Sequence, residues 1–359
     1  FEPIEAKYFR LLLNQTMTFK EVKLLSTLCL HNVSGQTSMA RTEDRELLAI
    51  GTPEPAMIIP KNEIRNVSAD MNANGYLKTT LPERDWTVLR FGYTTTGAFN
   101  HPASDEGRGL ECDKFSREAF KIHYDAFVAK VLGGTAKVAP KAMQYVEIDS
   151  YEMGGQNWTK GYNQVFQKEK GYDMLSFLPL FTGRFVESAK TSDAVLWDVR
   201  DVNCRLMKEN YFDYFAELCD KDGIKSYVEP YGFGPLNDLD VGAMADINMG
   251  EFWMNREMTM LGSAVSASHI YGKNVISAES FTSTPQINWK GHPAMAKISG
   301  DKAWALGINE FMFHRFTHQA NTHVKPGMTM NRWGFHFDRT QTWWENAGAD
   351  WFRYMSRGS

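Results

Sequence analysis

This chain of 359 residues has no long apolar run and no cluster of basic residues. A membrane-spanning helix needs roughly 20 consecutive apolar residues, and no window comes near that length. Lys and Arg together number 39 against 43 Asp and Glu, which gives a net charge of −4. A mildly acidic balance of this kind argues against nucleic acid or an anionic membrane as the main partner. Neither a membrane span nor a nucleic-acid partner is therefore expected.

Cysteine is scarce as well. The four cysteines are Cys29, Cys112, Cys204 and Cys219, and none has the CxxC spacing of a zinc knuckle. Cys204 and Cys219 lie on one predicted helix, about 22 Å apart at 1.5 Å per residue. That distance is too long for a disulfide, so these two cysteines are not expected to pair.

Several sequence motifs of common enzyme folds are missing. The predicted strand Thr87–Tyr93 is followed by no GxGxxG or P-loop sequence, so an open dinucleotide-binding sheet, the rival architecture, fits less well than a barrel. No Gly-x-Ser-x-Gly sequence occurs, which disfavours an esterase of the α/β-hydrolase type.

Aromatic residues are abundant, at 13% of the chain, and hydrophobic residues make up 43%. This composition allows a sizeable core and excludes intrinsic disorder. Flat ring faces suit sugar binding, although most aromatic side chains in any protein belong to its core.

The pattern along the chain changes near residue 85. Residues 1–85 read as a β-rich accessory segment that includes a predicted strand at Ala6–Leu13. From residue 86 to 359, short apolar runs alternate with amphipathic stretches, which predicts an α/β fold with a parallel sheet and a (β/α)8-type barrel. The predicted strands are Thr87–Tyr93, Gln144–Ser150, Met174–Leu178, Ile224–Val228, Gly250–Trp253, Val275–Ala278 and Glu310–Phe313, and the predicted helices are 113–131, 193–221, 255–270, 292–306 and 340–356.

Only seven strand–helix units can be counted in this pattern. We therefore expect a barrel that lacks its last strand, with a gap between Thr87–Tyr93 and Glu310–Phe313, in a chain that is part of a longer protein.

Acidic residues occur where several of the predicted strands end, and function in a barrel lies at those ends. Asp149 lies at the end of the second predicted strand, with Glu152 just after it, and Glu229 follows the fourth. Glu251 lies on the fifth, and Glu279 comes directly after the sixth. Each of these side chains could form a structural ion pair. Several carboxylates at the same end of a barrel destabilise the fold, however, so a functional role explains them better. Paired carboxyl groups beside aromatic rings are what glycoside hydrolysis needs, one to protonate the leaving oxygen and one to activate water or attack.

Two metal sites can be considered. Asp149, Glu152 and Asn157 offer hard oxygen atoms that suit calcium. His314 and His318 match no HExxH spacing, so contacts with sugar hydroxyls or ordinary packing are the better interpretations of these histidines.

The motifs, taken in order, resemble those of family 106 glycoside hydrolases, the α-L-rhamnosidases. The resemblance runs from about residue 86 to the C-terminus, and its segments are Trp86–Gly97, Gly109–Lys114, Asp149–Glu152, Asn157–Thr159, Gly171–Asp173, Leu178-Pro179, Leu196–Arg200, Glu229–Gly232, Gly250–Trp253, Ala278–Ser280 and Arg339–Glu345.

The resemblance implies an exported enzyme, secreted or periplasmic, that depends on calcium. It also implies hydrolysis of terminal α-L-rhamnose with inversion, from plant-type polysaccharides or glycosides. Glu229 is our candidate acid and Glu279 our candidate base, and Glu251 and Glu345 are substitutes for either role. The calcium or sugar-hydroxyl candidates are Asp149 and Glu152, and the candidate subsite walls are Arg90, Trp158, His314 and Trp344.

Other functions remain open at the level of sequence. The chain could be another exo-glycosidase or a polysaccharide lyase on a similar barrel. It could also be a carbohydrate-binding protein without catalysis, or a structural barrel whose glutamates are all paired.

Overall fold

The structure is a computed structural model that describes residues 28–30, 32–39, 52–101, 103–254, 256–321, 323, 327–329, 333–337 and 347–359. The chain forms two compact units. The first comprises Phe1–Thr94 and Gly155–Asn203, and the second comprises Thr95–Gly154 and Cys204–Ser359. The boundary that the sequence predicts near residue 85 stays a prediction.

The described residues contain seven strands and ten α-helices. The strands are β1 (Ile58–Ile59), β2 (Tyr145–Ile148), β3 (Phe185–Val186), β4 (Lys225–Val228), β5 (Ile247–Trp253), β6 (Ile276–Thr282) and β7 (Glu310–Phe313). The helices are α1 (Val33–Gln36), α2 (Arg117–Ala126), α3 (Val128–Val138), α4 (Tyr162–Lys170), α5 (Ala189–Met207), α6 (Asp213–Lys221), α7 (Asp238–Val241), α8 (Leu261–Ile270), α9 (Pro293–Ala305) and α10 (Gly348–Gly358). Within this described part, no helix is long and apolar enough to cross a membrane.

The first unit has a small apolar core around the parallel pair β1 and β3. Leu180, Phe185 and Leu196 are fully buried there. The predicted strand Met174–Leu178 is wrong, because Met174–Thr182 forms a 3-10 helix. Its first turn is capped by the Asp173 side chain, which accepts a hydrogen bond from the Leu175 N–H at 3.0 Å. A short, continuous apolar run does not distinguish a strand from a buried helical segment by its periodicity.

The β-rich character predicted for residues 1–85 can be compared with the structure only in part. The strand predicted at Ala6–Leu13 lies outside the described residues. Residues 52–85 contain the two-residue strand β1 and three 3-10 helices of three residues each.

The second unit is built on one parallel sheet with strand order β2-β4-β5-β6-β7. Five of the seven predicted strands are therefore confirmed. Helices α6, α8 and α9 pack on β4, β5 and β6, as expected when parallel strands are joined by helical crossovers. The main core lies between the sheet and these helices, around Phe252, Phe281 and Trp351.

Most of the predicted helices are also found, with shifted ends. The stretch predicted at 193–221 is α5 and α6 joined by the π-helical turn Lys208–Phe212, and its cysteines Cys204 and Cys219 form no disulfide with each other, as expected. The stretch predicted at 113–131 is two helices, α2 and α3, that meet at Phe127.

The closed eight-stranded barrel is not confirmed. Residues Thr87–Tyr93 have no strand partner within the described residues, and Val88 and Tyr93 are 65% and 67% exposed. The predicted first strand is therefore wrong, and with it the gap predicted between this segment and Glu310–Phe313. In the described part of the sheet, β2 and β7 form the two edges.

Candidate active site

The five strands of the second unit are parallel, so their carboxyl ends lie along one edge of the sheet. The register places Ile148 beside Val228, Val228 beside Asn248, and Asn248 beside Ile276. The next residues along β2 and β4, Asp149 and Glu229, are therefore at the same level.

Glu251 and Glu279 are paired directly across β5 and β6, two residues beyond the level of Glu229. Since side chains alternate along a strand, residues two apart point to the same face. The register alone therefore places Asp149, Glu229, Glu251 and Glu279 on one face of the sheet.

Three of these carboxyl groups lie close together. Asp149, Glu229 and Glu279 each present one carboxylate oxygen, and these three atoms all lie within 4.8 Å of one another. Glu229 is only 1% exposed. Both of its oxygen atoms are buried and make no hydrogen bond of ordinary geometry among the described residues, although the Tyr231 hydroxyl is close enough to interact with them. A buried carboxyl group with so little compensation favours keeping its proton or binding a cation, because an isolated charge is costly there.

Four glutamates of this face, Glu147, Glu229, Glu251 and Glu279, have raised pKa values. Burial raises the pKa of Glu229 well above its ordinary value, and the negative charges of Asp149 and Glu279 raise it further. Burial, and next the charge of Glu251, raise the pKa of Glu279 to about 8. Burial and the charge of Asp149 raise the pKa of Glu147 to about 7. At neutral pH the face therefore favours protonated carboxyl groups, as an acid catalyst needs.

His314 follows β7 and lies beside this cluster. Its Nδ1 atom is 3.3 Å from Glu279 Oε1 and 3.1 Å from the hydroxyl oxygen of Thr282. Burial and the neighbouring Arg315 and His336 lower the pKa of His314 to about 4. With a neutral imidazole and a carboxyl group of raised pKa, the contact is not an ion pair at neutral pH.

The chain after β2 and the chain after β4 are tied together by their backbones. The Tyr151 N–H donates to the Tyr231 carbonyl at 3.2 Å, and the Phe233 N–H donates to the Tyr151 carbonyl. Gly232 lies between these contacts with φ 149°, and a Cβ atom there would lie 2.1 Å from the Tyr151 oxygen. Only glycine allows this close approach, which keeps Asp149 beside Glu229.

Half-buried aromatic rings lie near the acidic residues along the chain. Trp253, two residues after Glu251, meets the Trp333 ring edge to face at 5.6 Å between centroids. The Arg256 guanidinium lies 4.2 Å from the centroid of Trp253. Such rings provide flat apolar surfaces on which sugar rings pack.

The predicted site residues are only partly brought together. Glu229, Glu251, Glu279, Asp149 and His314 share one site. Glu152 is exposed and is not part of the three-carboxyl cluster, whereas Arg90 and Trp158 belong to the first unit, where Arg90 is exposed and Trp158 stacks on Tyr162 at 5.0 Å. Glu345 and Trp344 lie outside the described residues.

Two residues of the site were missed from the sequence, Glu147 and Thr282. Glu147 lies two positions before Asp149 on β2, so alternation along the strand was a usable signal. Thr282 gave no such signal, because its orientation depends on an irregularity at the end of β6.

The carboxyl cluster fits a calcium ion in its chemistry. Calcium prefers oxygen ligands at 2.3–2.6 Å, so two ligand atoms of one ion lie at most about 5 Å apart. The 4.8 Å limit on the oxygens of Asp149, Glu229 and Glu279 meets this condition, and the unpartnered oxygens of Glu229 suit a ligand. Of the predicted ligands, Asp149 therefore lies in a candidate site and Glu152 does not.

Comparisons with known proteins bear on the family of this chain. The family model for α-L-rhamnosidase matches residues 11–359. A protein of Formosa agariphila, provisionally named a β-glucuronidase, is 39% identical over 294 residues, which cover 81% of this chain and 25% of that protein. A solved rhamnosidase structure from Novosphingobium sp. PP1Y is similar with a TM-score of 0.68 and 26% identity, over 83% of this chain and 30% of that one.

The chain thus spans between a quarter and a third of the length of these relatives. Its parallel sheet with helical crossovers is shared with the rhamnosidase structure. Since the family model covers nearly the whole sequence, the chain belongs to the α-L-rhamnosidase family of glycoside hydrolases, family 106.

Proposed function

We propose that this chain carries the active site of an enzyme that removes terminal α-L-rhamnose from plant-type polysaccharides or glycosides. The observation that carries the proposal is the group of buried carboxyl groups with raised pKa values at one edge of the parallel sheet. Glycoside hydrolysis is the reaction that uses such groups, and family membership names the sugar.

Glu229 is the proposed acid. Its raised pKa keeps a proton on the group at neutral pH, and that proton is available to the glycosidic oxygen as the sugar leaves. Glu279 is the proposed base, which in its ionised form accepts a proton from the attacking water. Glu251, buried and register-paired with Glu279, is the substitute for either role.

The stereochemical outcome stays a prediction. Inversion needs about 6.5–9.5 Å between the two carboxyl groups, so that water fits between base and sugar. The nearest oxygens of Glu229 and Glu279 lie within 4.8 Å, which is closer than inversion requires. Inversion is therefore proposed on the resemblance to the family and not on this distance.

Calcium is proposed as a cofactor of the same site. Asp149, Glu229 and Glu279 would hold it, and it would offset their negative charges and bind sugar hydroxyl groups. A calcium ligand is ionised whereas an acid is protonated, so the two roles of Glu229 exclude each other. If calcium proves essential, Glu229 is a ligand and Glu251 takes the role of acid.

A secreted or periplasmic location is proposed with this substrate, because a polysaccharide is met outside the cytoplasm.

A second candidate, a uronide hydrolase, comes from the relative named a β-glucuronidase. Arg315 is 9% exposed, and its guanidinium is close enough to Glu279 for the two charges to affect each other. A buried guanidinium beside the catalytic carboxyl groups is what the carboxylate of a uronic acid would need. The rhamnoside remains the first proposal because the family model names it.

The test is a panel of 4-nitrophenyl glycosides that includes the α-L-rhamnoside and the β-D-glucuronide, assayed with calcium and with excess chelator. Release of rhamnose with a new reducing end supports the proposal. Preference for the glucuronide supports the second candidate, and an unsaturated product identifies a lyase. Binding of rhamnosides without turnover identifies a carbohydrate-binding protein and overturns the proposed catalysis.

A further inference from the structure

Thr282, at the end of β6, occupies a position that regular strand alternation would not give it. Glu279 faces the site, so the residue two positions on, Phe281, should face it as well. The register instead shifts between Phe252 and Trp253, and Trp253 pairs with Thr282. Phe281 adopts φ 69°, in the left-handed region. The irregularity directs Phe281 into the apolar core and the Thr282 hydroxyl to Glu279.

A left-handed backbone is unfavourable for a residue with a large side chain. Such a conformation persists only where the surroundings stabilise it, and strained residues are concentrated at functional sites. Here the Phe281 ring is fully buried and meets the rings of Phe252, Phe313 and Trp351 at 4.9, 5.6 and 5.7 Å between centroids. Packing on the helical side of the sheet therefore maintains the position of Thr282 on the other side.

The Thr282 hydroxyl contacts both polar groups beside it. It donates to Glu279 Oε1 at 2.6 Å, and its oxygen lies 3.1 Å from His314 Nδ1. Its own backbone is fixed by the Met254 N–H, which donates to the Thr282 carbonyl at 2.8 Å, and the residue is 2% exposed. Thr282 is therefore held in place between Glu279 and His314.

The hydroxyl has one proton, which sets the direction of this chain of hydrogen bonds. Thr282 donates its proton to Glu279, so its oxygen accepts from His314 Nδ1, which then carries the ring proton. The Nε2 atom of His314 is then an acceptor, and no described residue donates to it. A sugar hydroxyl is the donor that this atom suits.

We propose that Thr282 is a positioning residue that fixes the Glu279 carboxyl group and the tautomer of the His314 ring at the same time. The consequence for catalysis rests on the proposed function, because it needs Glu279 in the reaction. The placement of Thr282 does not depend on the proposed function, so it can be tested without a substrate.

The kinetic test compares Thr282→Val, which keeps the shape and removes the hydroxyl, with Thr282→Ser, which keeps the hydroxyl. We expect Thr282→Val to lower kcat about 10–100-fold while KM changes less than about threefold, and Thr282→Ser to restore kcat to within about threefold of the wild type. The matched control is Thr317→Val. Thr317 is also buried, and its hydroxyl has no partner within the described residues, so this variant should leave kcat unchanged.

The second test needs no activity and records the ring-nitrogen NMR signals of His314, assigned with His314→Gln. We expect one tautomer in the wild type and in Thr282→Ser, and a mixture of tautomers in Thr282→Val. A mixture in the wild type overturns the proposal even if Thr282→Val does not fold. A folded Thr282→Val with wild-type kcat and unchanged signals, or a Thr282→Ser no better than Thr282→Val, overturns it too. If the wild type hydrolyses no glycoside, the proposed function fails while the NMR result still decides the placement of Thr282.

Discussion

The two faces of strands β5, β6 and β7 carry opposite kinds of side chain. Towards the helices the strands present Phe252, Ala278 and Phe281, all at most 1% exposed, and these pack on apolar residues of α9 and α10. On the other face the same strands present Glu251 and Glu279, one residue away from that core along the chain. The first face is fully buried, whereas on the second Glu251 and Glu279 are half-buried.

The apolar face stabilises the fold, whereas the acidic face carries the groups that we propose for function. Apolar burial stabilises the helical side by about 25 cal/mol for each Å² removed from water. On the other side the buried oxygens of Glu229 make no hydrogen bond of ordinary geometry among the described residues, and burial together with neighbouring negative charges raises the pKa values of Glu229 and Glu279. These clustered carboxyl groups destabilise the fold unless protons, a cation or a substrate compensate for their negative charge.

The largest expected effect is on catalysis, on the acidic face. Glu229→Gln and Glu279→Gln should each lower kcat/KM about 10²–10⁴-fold, since each removes one proton-transfer partner while the shape is kept. In excess chelator, the melting temperature of each variant should stay at or above that of the wild type, because a neutral amide replaces an acid that is costly to ionise there. Steady-state kinetics on the preferred aryl glycoside and thermal unfolding measure the two effects.

The control for these two variants is Glu118→Gln, which changes an exposed carboxyl group on α2. A variant of Glu229 or Glu279 that keeps more than about a tenth of the activity would show that its residue is neither acid nor base.

The next effect lies on the apolar face. Phe281→Ala should lower the free energy of unfolding by about 3–5 kcal/mol, because it leaves a cavity among the rings that surround this side chain. It should also lower activity, since the Phe281 ring maintains the backbone that places Thr282. Urea denaturation and kinetics measure both. Phe352→Ala, on α10 in the same cluster, is the comparison, because it removes a ring without touching β6. Equal losses of activity in the two variants would contradict a specific role of the Phe281 backbone.

Calcium is expected to bind on the acidic face and to stabilise the fold there. If the ion binds Asp149, Glu229 and Glu279, it should stabilise the fold by about 2.7 kcal/mol at a concentration 100 times its dissociation constant. Activity should disappear in excess chelator and return when calcium is added. Differential scanning calorimetry of the wild type and of Asp149→Asn measures the stabilisation, which should be smaller in the variant. An enzyme that is fully active in excess chelator would rule out this cofactor.

The smallest expected effect is a pH dependence of stability, measured in chelator. A carboxyl group whose pKa is higher in the folded state binds its proton more tightly there, so stability is greatest below the unfolded value of about 4.3. It is lost as the pH rises through the folded values of about 7 for Glu147 and about 8 for Glu279. Glu147→Gln should flatten the decline between about pH 4.5 and 7. Denaturation midpoints of the wild type and of Glu147→Gln across that range measure the difference. Equal slopes in the two proteins would contradict the raised pKa of Glu147.

Five of the seven strands could be predicted from the sequence, because each is a short apolar run between turn residues. The strand ends were predicted closely enough to select Asp149, Glu229, Glu251 and Glu279, which the register then brings to one face. Two predicted strands failed for different reasons. Met174–Leu178 is an apolar run that a side-chain cap turns into a 3-10 helix, and Thr87–Tyr93 is exposed and lacks a strand partner within the described residues.

Strand periodicity and strand-end residues are local patterns, so the amino-acid sequence by itself predicted the parallel α/β architecture and the acidic residues of the candidate site. The resemblance of its motifs identified the family. Only the tertiary structure decided that Asp149 groups with Glu229 and Glu279 while Glu152 stays outside. It also decided the place of Thr282, because the shift at the end of β6 depends on how Phe281 packs against rings from distant parts of the chain. Burial and the proximity of like charges set the raised pKa values, and both exist only in the folded chain.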